Sequence, residues 1–151
     1  MNYELDNLDR DILRILQREA RTPYAEIARE LDVSGGTIHV RLGKMKTAGI
    51  ILGARQEINY RALGFDVAAL VGIRIASAHG IDVICDKLRA MPEIVEIHYT
   101  TGGYSLMAKV IVRQMEDLHK LLAGKLREHE EIGSTETFVI LGTLEDREPQ
   151  I

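Results

Sequence analysis

The chain has 151 residues, of which 46% are hydrophobic and 28% charged, with a formal net charge of -4. This is the composition of an ordinary soluble globular chain, and it excludes a disordered polymer or a disulfide scaffold, since Cys85 is the one cysteine. There is no apolar run of about 18 residues to cross a bilayer, and the acidic opening MNYELDNLDRDIL lacks the apolar stretch of a secretory signal. A cytoplasmic location with no membrane partner is expected.

In chain order, Asp6 is placed to cap a first helix whose apolar positions Leu8, Ile12, Leu13, Ile15 and Leu16 follow a 3.6-residue period. Thr22-Pro23 reads as the next helix start, with Thr22 as N-cap and Pro23 in the first turn. That helix places Ile27, Ala28 and Leu31 on its apolar side and breaks at Asp32-Val33. Ser34 caps a third helix with Ile38, Leu42 and Met45 on one face, closed by Gly49. Two short helices joined by a tight turn, with a first helix completing the core, form a three-helix (winged) helix-turn-helix domain.

After Gly49, residues 50–55 are apolar and glycine-punctuated, consistent with a short strand or a connector. Asp66–Ala76 reads as a strand. A helical stripe of Ile81, Ile84, Cys85 and Leu88 ends before Pro92. Val95–Thr101 and Tyr104–Val112 flank Gly102-Gly103, the signal of a two-residue hairpin. Met115, Leu118, Leu121, Leu122 and Leu126 mark another helix, and Thr135–Leu141 a last strand. The order βαββαβ predicts a ferredoxin-like domain, so the fold class is α+β. Domain boundaries of 1–60 and 61–151 follow. No internal repeat is evident, and the tail EDREPQI is expected to be loose.

The net charge conceals an uneven distribution. Residues 1–60 carry nine basic and nine acidic side chains, whereas 61–151 carry ten and fourteen. Residues 34–55 contain Arg41, Lys44, Lys46 and Arg55 and no acid. Local fields rather than net charge govern contact with phosphate. On a helical wheel Gly36, Val40, Gly43 and Thr47 face away from the core, flanked by Thr37 and Lys44 on one side and His39 on the other. Two glycines and a valine are unusual on a water-facing surface, but they admit close approach to a groove. Val40 is suited to a thymine methyl, and Thr37 and His39 to base edges. Arg41, Lys44 and Lys46 are assigned to phosphates, and Ser34 brings the helix N-terminus toward one. Double-stranded DNA is the expected partner. The alternative is a small helical bundle with a weakly basic face.

Enzyme motifs are missing. The chain has no P-loop, GxSxG, HExxH or paired-cysteine metal motif, and His39, His79, His98, His119 and His129 are scattered. Cys85 sits on an apolar stripe, which favours packing over nucleophilic chemistry. No catalytic residue, metal or cofactor is expected.

The segments LDNLDRDILRILQREART and YAEIARELDVSGGTIHVRLGKMKTAGII, with YTTGGYSLMAKV and EIGSTETFVIL later in the chain, resemble the Lrp/AsnC family of transcription regulators over roughly residues 4–144. SGGTIHVRLGKMKTAGII and YTTGGYS are most similar to the AsnC, asparagine-responsive branch. The leucine-responsive type usually has an aspartate after the hairpin tyrosine, where Ser105 stands here. The resemblance implies homodimers formed through the sensing domains and connecting strand, assembly to a homo-octamer, and an amino acid effector, asparagine first, bound between dimers. By motif, Thr100, Thr101, Gly102, Gly103, Tyr104 and Ser105, with Ser134, Thr135, Glu136 and Thr137, line that cleft. Backbone N–H groups at the Gly-Gly turn suit a carboxylate, and the hydroxyls with Glu136 suit an ammonium. Alternatives on this architecture are a regulator responding to leucine or another amino acid, an effector-independent DNA-wrapping protein, and a sirohaem decarboxylase.

Overall fold

A computed structural model describes residues 3–76 and 81–151, so His79 lies outside the described residues. The chain forms two compact units: one runs to Glu57 and takes in Asp146–Ile151, and the other is Ile58–Glu145.

The first unit is a three-helix bundle of α1 (Asn7–Arg18), α2 (Tyr24–Glu30) and α3 (Gly35–Thr47). Asp6 caps α1 in a reciprocal box: its carboxylate accepts from the Asp9 N–H at 2.9 Å, and Asp9 accepts from the Asp6 N–H at 3.2 Å. These bonds satisfy donors that a helix start otherwise leaves open. Helix α2 begins one residue later than expected. Pro23 holds the cap position, and the Thr22 hydroxyl donates to the Glu19 carbonyl instead. The turn between α2 and α3 passes through Asp32 at φ 53°, a left-handed conformation that aspartate tolerates. Ser34 then caps α3 by accepting from the Thr37 N–H at 3.0 Å. Gly49, at φ 73°, ends the helix as expected. Ile12, Ile15, Ile27, Ala28, Ile38, Leu42 and Met45 form the buried core. Residues 51–59 form no regular element, so this stretch is a connector within the single chain.

The tail is not loose. Gln17 Nε2 on α1 donates to Glu148 Oε2 at 3.0 Å and to the Pro149 carbonyl at 2.8 Å, and Arg14 Nε donates to the Ile151 carbonyl at 2.7 Å. The last six residues thus go with the first unit, because polar side chains on the outer face of α1 bind their backbone.

The second unit is a four-stranded antiparallel sheet in the order β2-β3-β1-β4, made of β1 (Val67–Ile75), β2 (Ile94–Tyr99), β3 (Leu106–Val112) and β4 (Ile132–Val139). One face carries α4 (Ile81–Arg89) and α5 (Met115–Lys120), the latter continuing as a wider π-helical turn over Leu121–Leu126. Ala69, Val71 and Ile73 of β1 and Leu106, Ala108, Val110 and Val112 of β3 pack there against Ile84, Leu88, Leu118, Leu121 and Leu126. Alternation sends Leu70, Gly72, Arg74, Met107 and Lys109 to the other face, which no helix of this unit covers among the described residues. The β2–β3 connection is not a two-residue hairpin. The strands end at Tyr99 and Leu106, and the loop is closed by Thr100 N–H donating to the Ser105 carbonyl at 3.0 Å.

The two halves of this unit repeat a short sequence. Lys87-Leu88-Arg89-Ala90-Met91-Pro92-Glu93-Ile94 and Lys125-Leu126-Arg127-Glu128-His129-Glu130-Glu131-Ile132 share the pattern KLRxxxEI, against the expectation of no internal repeat. Each stretch joins the end of a helix to the strand beneath it, β2 or β4. The lysines pair across the repeat: Lys87 Nζ lies 2.7 Å from Glu131, and Lys125 Nζ lies 2.5 Å from Glu93. In both glutamates the second oxygen is buried without a hydrogen-bond partner. The bonds from Lys125 and Lys87 hold the carboxyls of Glu93 and Glu131 below the ordinary glutamate value. A carboxyl depressed in the folded state stabilises the fold fully above its unfolded pKa, and that contribution disappears as the pH falls through the folded value. The double variant Glu93→Gln/Glu131→Gln is therefore expected to flatten the loss of Tm between about pH 5 and pH 3, as followed by circular dichroism melts. An unchanged acid limb would remove the crossed pairs as its cause.

Candidate nucleic-acid interface and effector site

On α3 the outward face contains Gly36, Val40, Gly43 and Lys44, all exposed, with Val40 at 55%. A Cβ added at Gly43 meets nothing within 4 Å, and one at Gly36 meets just the Ser34 hydroxyl at 3.7 Å. Packing within the chain therefore does not demand glycine at either position, although each glycine costs about 1 kcal/mol against alanine in a helix. Thr37 is half-buried and its hydroxyl shares a 2.9 Å hydrogen bond with the Ser34 hydroxyl. His39 lies beside the Tyr24 ring of α2, centroids 6.1 Å apart, and Lys46 Nζ reaches the Tyr24 hydroxyl at 3.5 Å. Lys44 has no ion pair among the described residues. An open groove of about 520 Å³ runs along this face and is bordered on its other side by Tyr3 and Glu4.

Arg41 does not stand free on this surface. Its Nη1 lies 2.6 Å from Asp6 Oδ2 and 3.0 Å from Asp9 Oδ1, and its side chain is 27% exposed. Asp9 is fully buried and also accepts from the Tyr3 hydroxyl at 3.0 Å. The acid-free window of the sequence missed this pairing because both acids come from the start of α1. The Asp9 backbone N–H, and then the Arg41 guanidinium, hold the Asp6 carboxyl below the usual aspartate range. The two carboxylates in turn push Arg41 up, and burial followed by the bond to Asp9 raises the Tyr3 phenol. Arg41 thus ties α3 to the start of α1.

On the open face of the sheet, Tyr104 folds back from the β2–β3 loop onto β1. Its ring covers Gly72, where an added Cβ would lie 2.7 Å from ring carbons. The Tyr104 hydroxyl donates to Glu136 Oε2, and the ring meets Phe138 edge-on at 6.5 Å. The Arg74 guanidinium lies 4.6 Å from the Tyr104 ring centroid, a cation–π arrangement. Its Nε donates to the Gly103 carbonyl at 2.8 Å, and its Nη1 reaches Ser134 Oγ at 3.4 Å. Three of the expected effector residues, Gly103, Tyr104 and Ser134, therefore contact one arginine, and Glu136 joins them through the Tyr104 hydroxyl. Thr100 and Ser105 close the loop, with the Thr100 hydroxyl donating to the Tyr104 carbonyl at 2.7 Å. Thr101 and Gly102 are exposed at the tip, with Gly102 at φ 101°.

The expected Ser134–Thr137 set divides. Ser134 and Glu136 pair with Arg74 and Gly72 on the open face, whereas Thr135 and Thr137 pair with Ile73 and Val71, which face the helices. Strict alternation along a strand is the reason. Gly72 and Arg74 belong to the same cluster, and the sequence reading passed over them. Their signal was one glycine and one cation inside the otherwise apolar VAALVGIRI, a pattern that marks a close approach and an outward-facing group. Among the described residues no cluster of three or more His, Cys, Asp or Glu is arranged to hold a metal, and no helix is long and apolar enough to cross a membrane.

Comparison with known proteins bears on both sites. Residues 5–46 match the AsnC-type helix-turn-helix domain, and residues 68–150 match the Lrp/AsnC ligand binding domain. The chain belongs to the Lrp/AsnC family. It is 47% identical over 140 residues to the regulatory protein AsnC of Escherichia coli K12, covering 93% of this chain and 92% of that protein. The solved structure of E. coli AsnC superposes with a TM-score of 0.94 over 99% of this chain and all of that one, at 44% identity. The fold also matches a Neisseria meningitidis transcriptional regulator solved in complex with L-Met, with a TM-score of 0.89 and 18% identity over 95% of this chain and 94% of that one. The chain is accordingly an AsnC-type transcriptional regulator with a helix-turn-helix domain and a ligand-binding domain.

Within this cluster, Gly72→Ala is expected to expel the Tyr104 ring. Overpacking of this kind costs about 1–3 kcal/mol, measurable by denaturant unfolding, and tyrosine fluorescence should report a more solvated ring. Wild-type stability with an unmoved tyrosine signal would show that the ring has room to spare.

Proposed function

We propose that the protein binds operator DNA through α3 and that a small amino acid, asparagine first, governs its assembly and DNA affinity from the Tyr104 site. The observation that carries this reading is the group formed by Gly103, Tyr104, Ser134 and Glu136 with Arg74, which sets a cation and a carboxylate on either side of the Tyr104 side chain. A zwitterionic amino acid needs such a pair. A site built from polar groups also favours a carboxamide side chain over an aliphatic one, because an aliphatic ligand leaves those groups unpaired. The Neisseria regulator's complex with L-Met supports an amino acid as the ligand class. Asparagine is favoured by the likeness to AsnC and by Ser105 after the hairpin tyrosine.

For DNA, the contact set is Ser34, Gly36, Thr37, His39, Val40, Lys44 and Lys46. Arg41 keeps a structural role in this reading. The open sheet face presents Leu70 and Phe138 exposed beside Met107 and Ile111, and apolar surface of this kind favours pairing with a second copy. A homodimer, with further assembly to an octamer, is the family arrangement that places an effector between dimers. The protein acts as a regulator in the cytoplasm, with no catalytic step. Coupling requires the effector to bind one assembly better than another.

Two measurements test the proposal. Isothermal titration against all twenty amino acids, followed by DNA-binding isotherms with and without those that bind, should give heat with asparagine and a shift in DNA affinity. Absence of both for every amino acid would overturn the effector reading. Separately, Lys44→Ala should weaken binding to all DNA and reduce the salt slope by about one unit per lost phosphate contact, at unchanged Tm. Arg41→Ala should lower Tm, with a smaller direct effect on the salt slope. The reverse pattern would return Arg41 to the phosphates.

A further inference from the structure

The residues that precede α1 run beside the outward face of α3 and are held there. Tyr3 and Leu5 both pack against the core of the helical unit, and the Tyr3 hydroxyl donates to the buried Asp9 at 3.0 Å. Asp6 then caps α1. With the side chains of its two neighbours turned inward, Glu4 is exposed, and it lines the groove along α3 together with Gly36, Val40 and Lys44. The side chains of Glu4 and Lys44 make no hydrogen bond or ion pair among the described residues. One groove thus holds a cation and a carboxylate that do not neutralise each other, beside a helix face left bare at Gly36.

A DNA duplex supplies a partner for each. Phosphates suit Lys44 but repel Glu4, and an acid on a phosphate-facing surface weakens binding to every sequence alike unless it gains a donor. Among base edges in the major groove, the N4 amine of cytosine is the donor that a carboxylate accepts from. Guanine and thymine offer acceptors there, and the N6 amine of adenine has an acceptor beside it, which suits an amide better than a carboxylate. We infer that Glu4 is a specificity-determining residue that accepts from the N4 amine of a cytosine in the operator half-site while α3 occupies the major groove. The inference rests on the DNA reading of α3 above. It adds a base contact from a residue that lies before the helix-turn-helix match, which begins at residue 5.

The test uses the full-length protein and a library of duplexes with a randomised core, from which wild type, Glu4→Ala and Glu4→Gln each select a preferred sequence. Binding isotherms follow on the selected duplexes and on their single-base-pair variants. Wild type should fix cytosine at one position of each half-site, and replacing that base pair should weaken binding roughly tenfold, the effect of one mismatched pair. Glu4→Ala should lose the preference at that position alone. Glu4→Gln should move it toward adenine, whose N6 and N7 an amide matches. Both variants should bind nonspecific duplex more tightly, because a like charge is gone, and should melt as wild type does, because Glu4 is exposed. If both variants select the wild-type sequence and bind every duplex more tightly by the same factor, Glu4 is a repulsive rim, and the inference is overturned while the DNA reading of α3 stands. A wild-type selection that fixes no cytosine overturns it as well. If Lys44→Ala leaves affinity and salt slope unchanged on all DNA, the reading of α3 falls and the role of Glu4 falls with it.

Discussion

The ring of Tyr104 rests on the backbone of β1 because residue 72 has no side chain, and the polar cluster on the open sheet face takes its shape from that contact. Without it the β2–β3 loop would be tied to β1 by polar contacts alone, the Arg74 bond to the Gly103 carbonyl and the Ser105 N–H bond to the Ile73 carbonyl. With it, the ring becomes a floor for the Arg74 guanidinium, its hydroxyl reaches Glu136 on β4, and the Gly103 carbonyl comes within bonding distance of Arg74. Two strands and a loop contribute to one polar cluster through a single aromatic side chain. Aromatic rings suit this task because they present a large rigid surface with few rotors to order. A strand interior seldom accepts glycine without cost, so its presence at this position is accounted for by the ring it admits.

The DNA-binding unit solves a different problem, that of displaying cations on a helix that must also pack. Arg41 faces partly inward, and its charge is compensated by Asp6 and the buried Asp9. Replacing such a network piecemeal leaves a charge or a donor without a partner, which is more damaging than losing the whole. The surface that faces outward is correspondingly plain: two glycines with open space above them, a valine, and Lys44. A face so bare gains from any partner that approaches the backbone closely.

Much of this was legible in the sequence. The caps at Asp6 and Ser34, the buried triplet Ile38, Leu42 and Met45, and the βαββαβ order all follow from local rules, and the structure agrees. What escaped depends on contacts between distant residues. Nothing near Arg41 in the chain indicates that acids more than 30 positions earlier neutralise it. The Gly102-Gly103 pair read as a tight turn because glycine permits one, yet the strands stop short and Tyr104 spends its side chain on the sheet. The split of Ser134 and Glu136 from Thr135 and Thr137 was available from alternation alone. It was obscured by treating four consecutive polar residues as one surface. The tail looked loose because its few apolar residues have no period, and its anchors are side chains of α1.

The KLRxxxEI repeat has a broader meaning for the sensing unit. Its two βαβ halves meet as two copies of a protein meet across a two-fold axis, each supplying a lysine to the other's glutamate. The contact is an isologous interface enclosed in one polypeptide. Because each half holds the counter-charge of the other, neither half is electrostatically complete alone, and a change on one side has its mirror image 38 positions away along the chain. The domain can be regarded as a dimer that no dilution will dissociate.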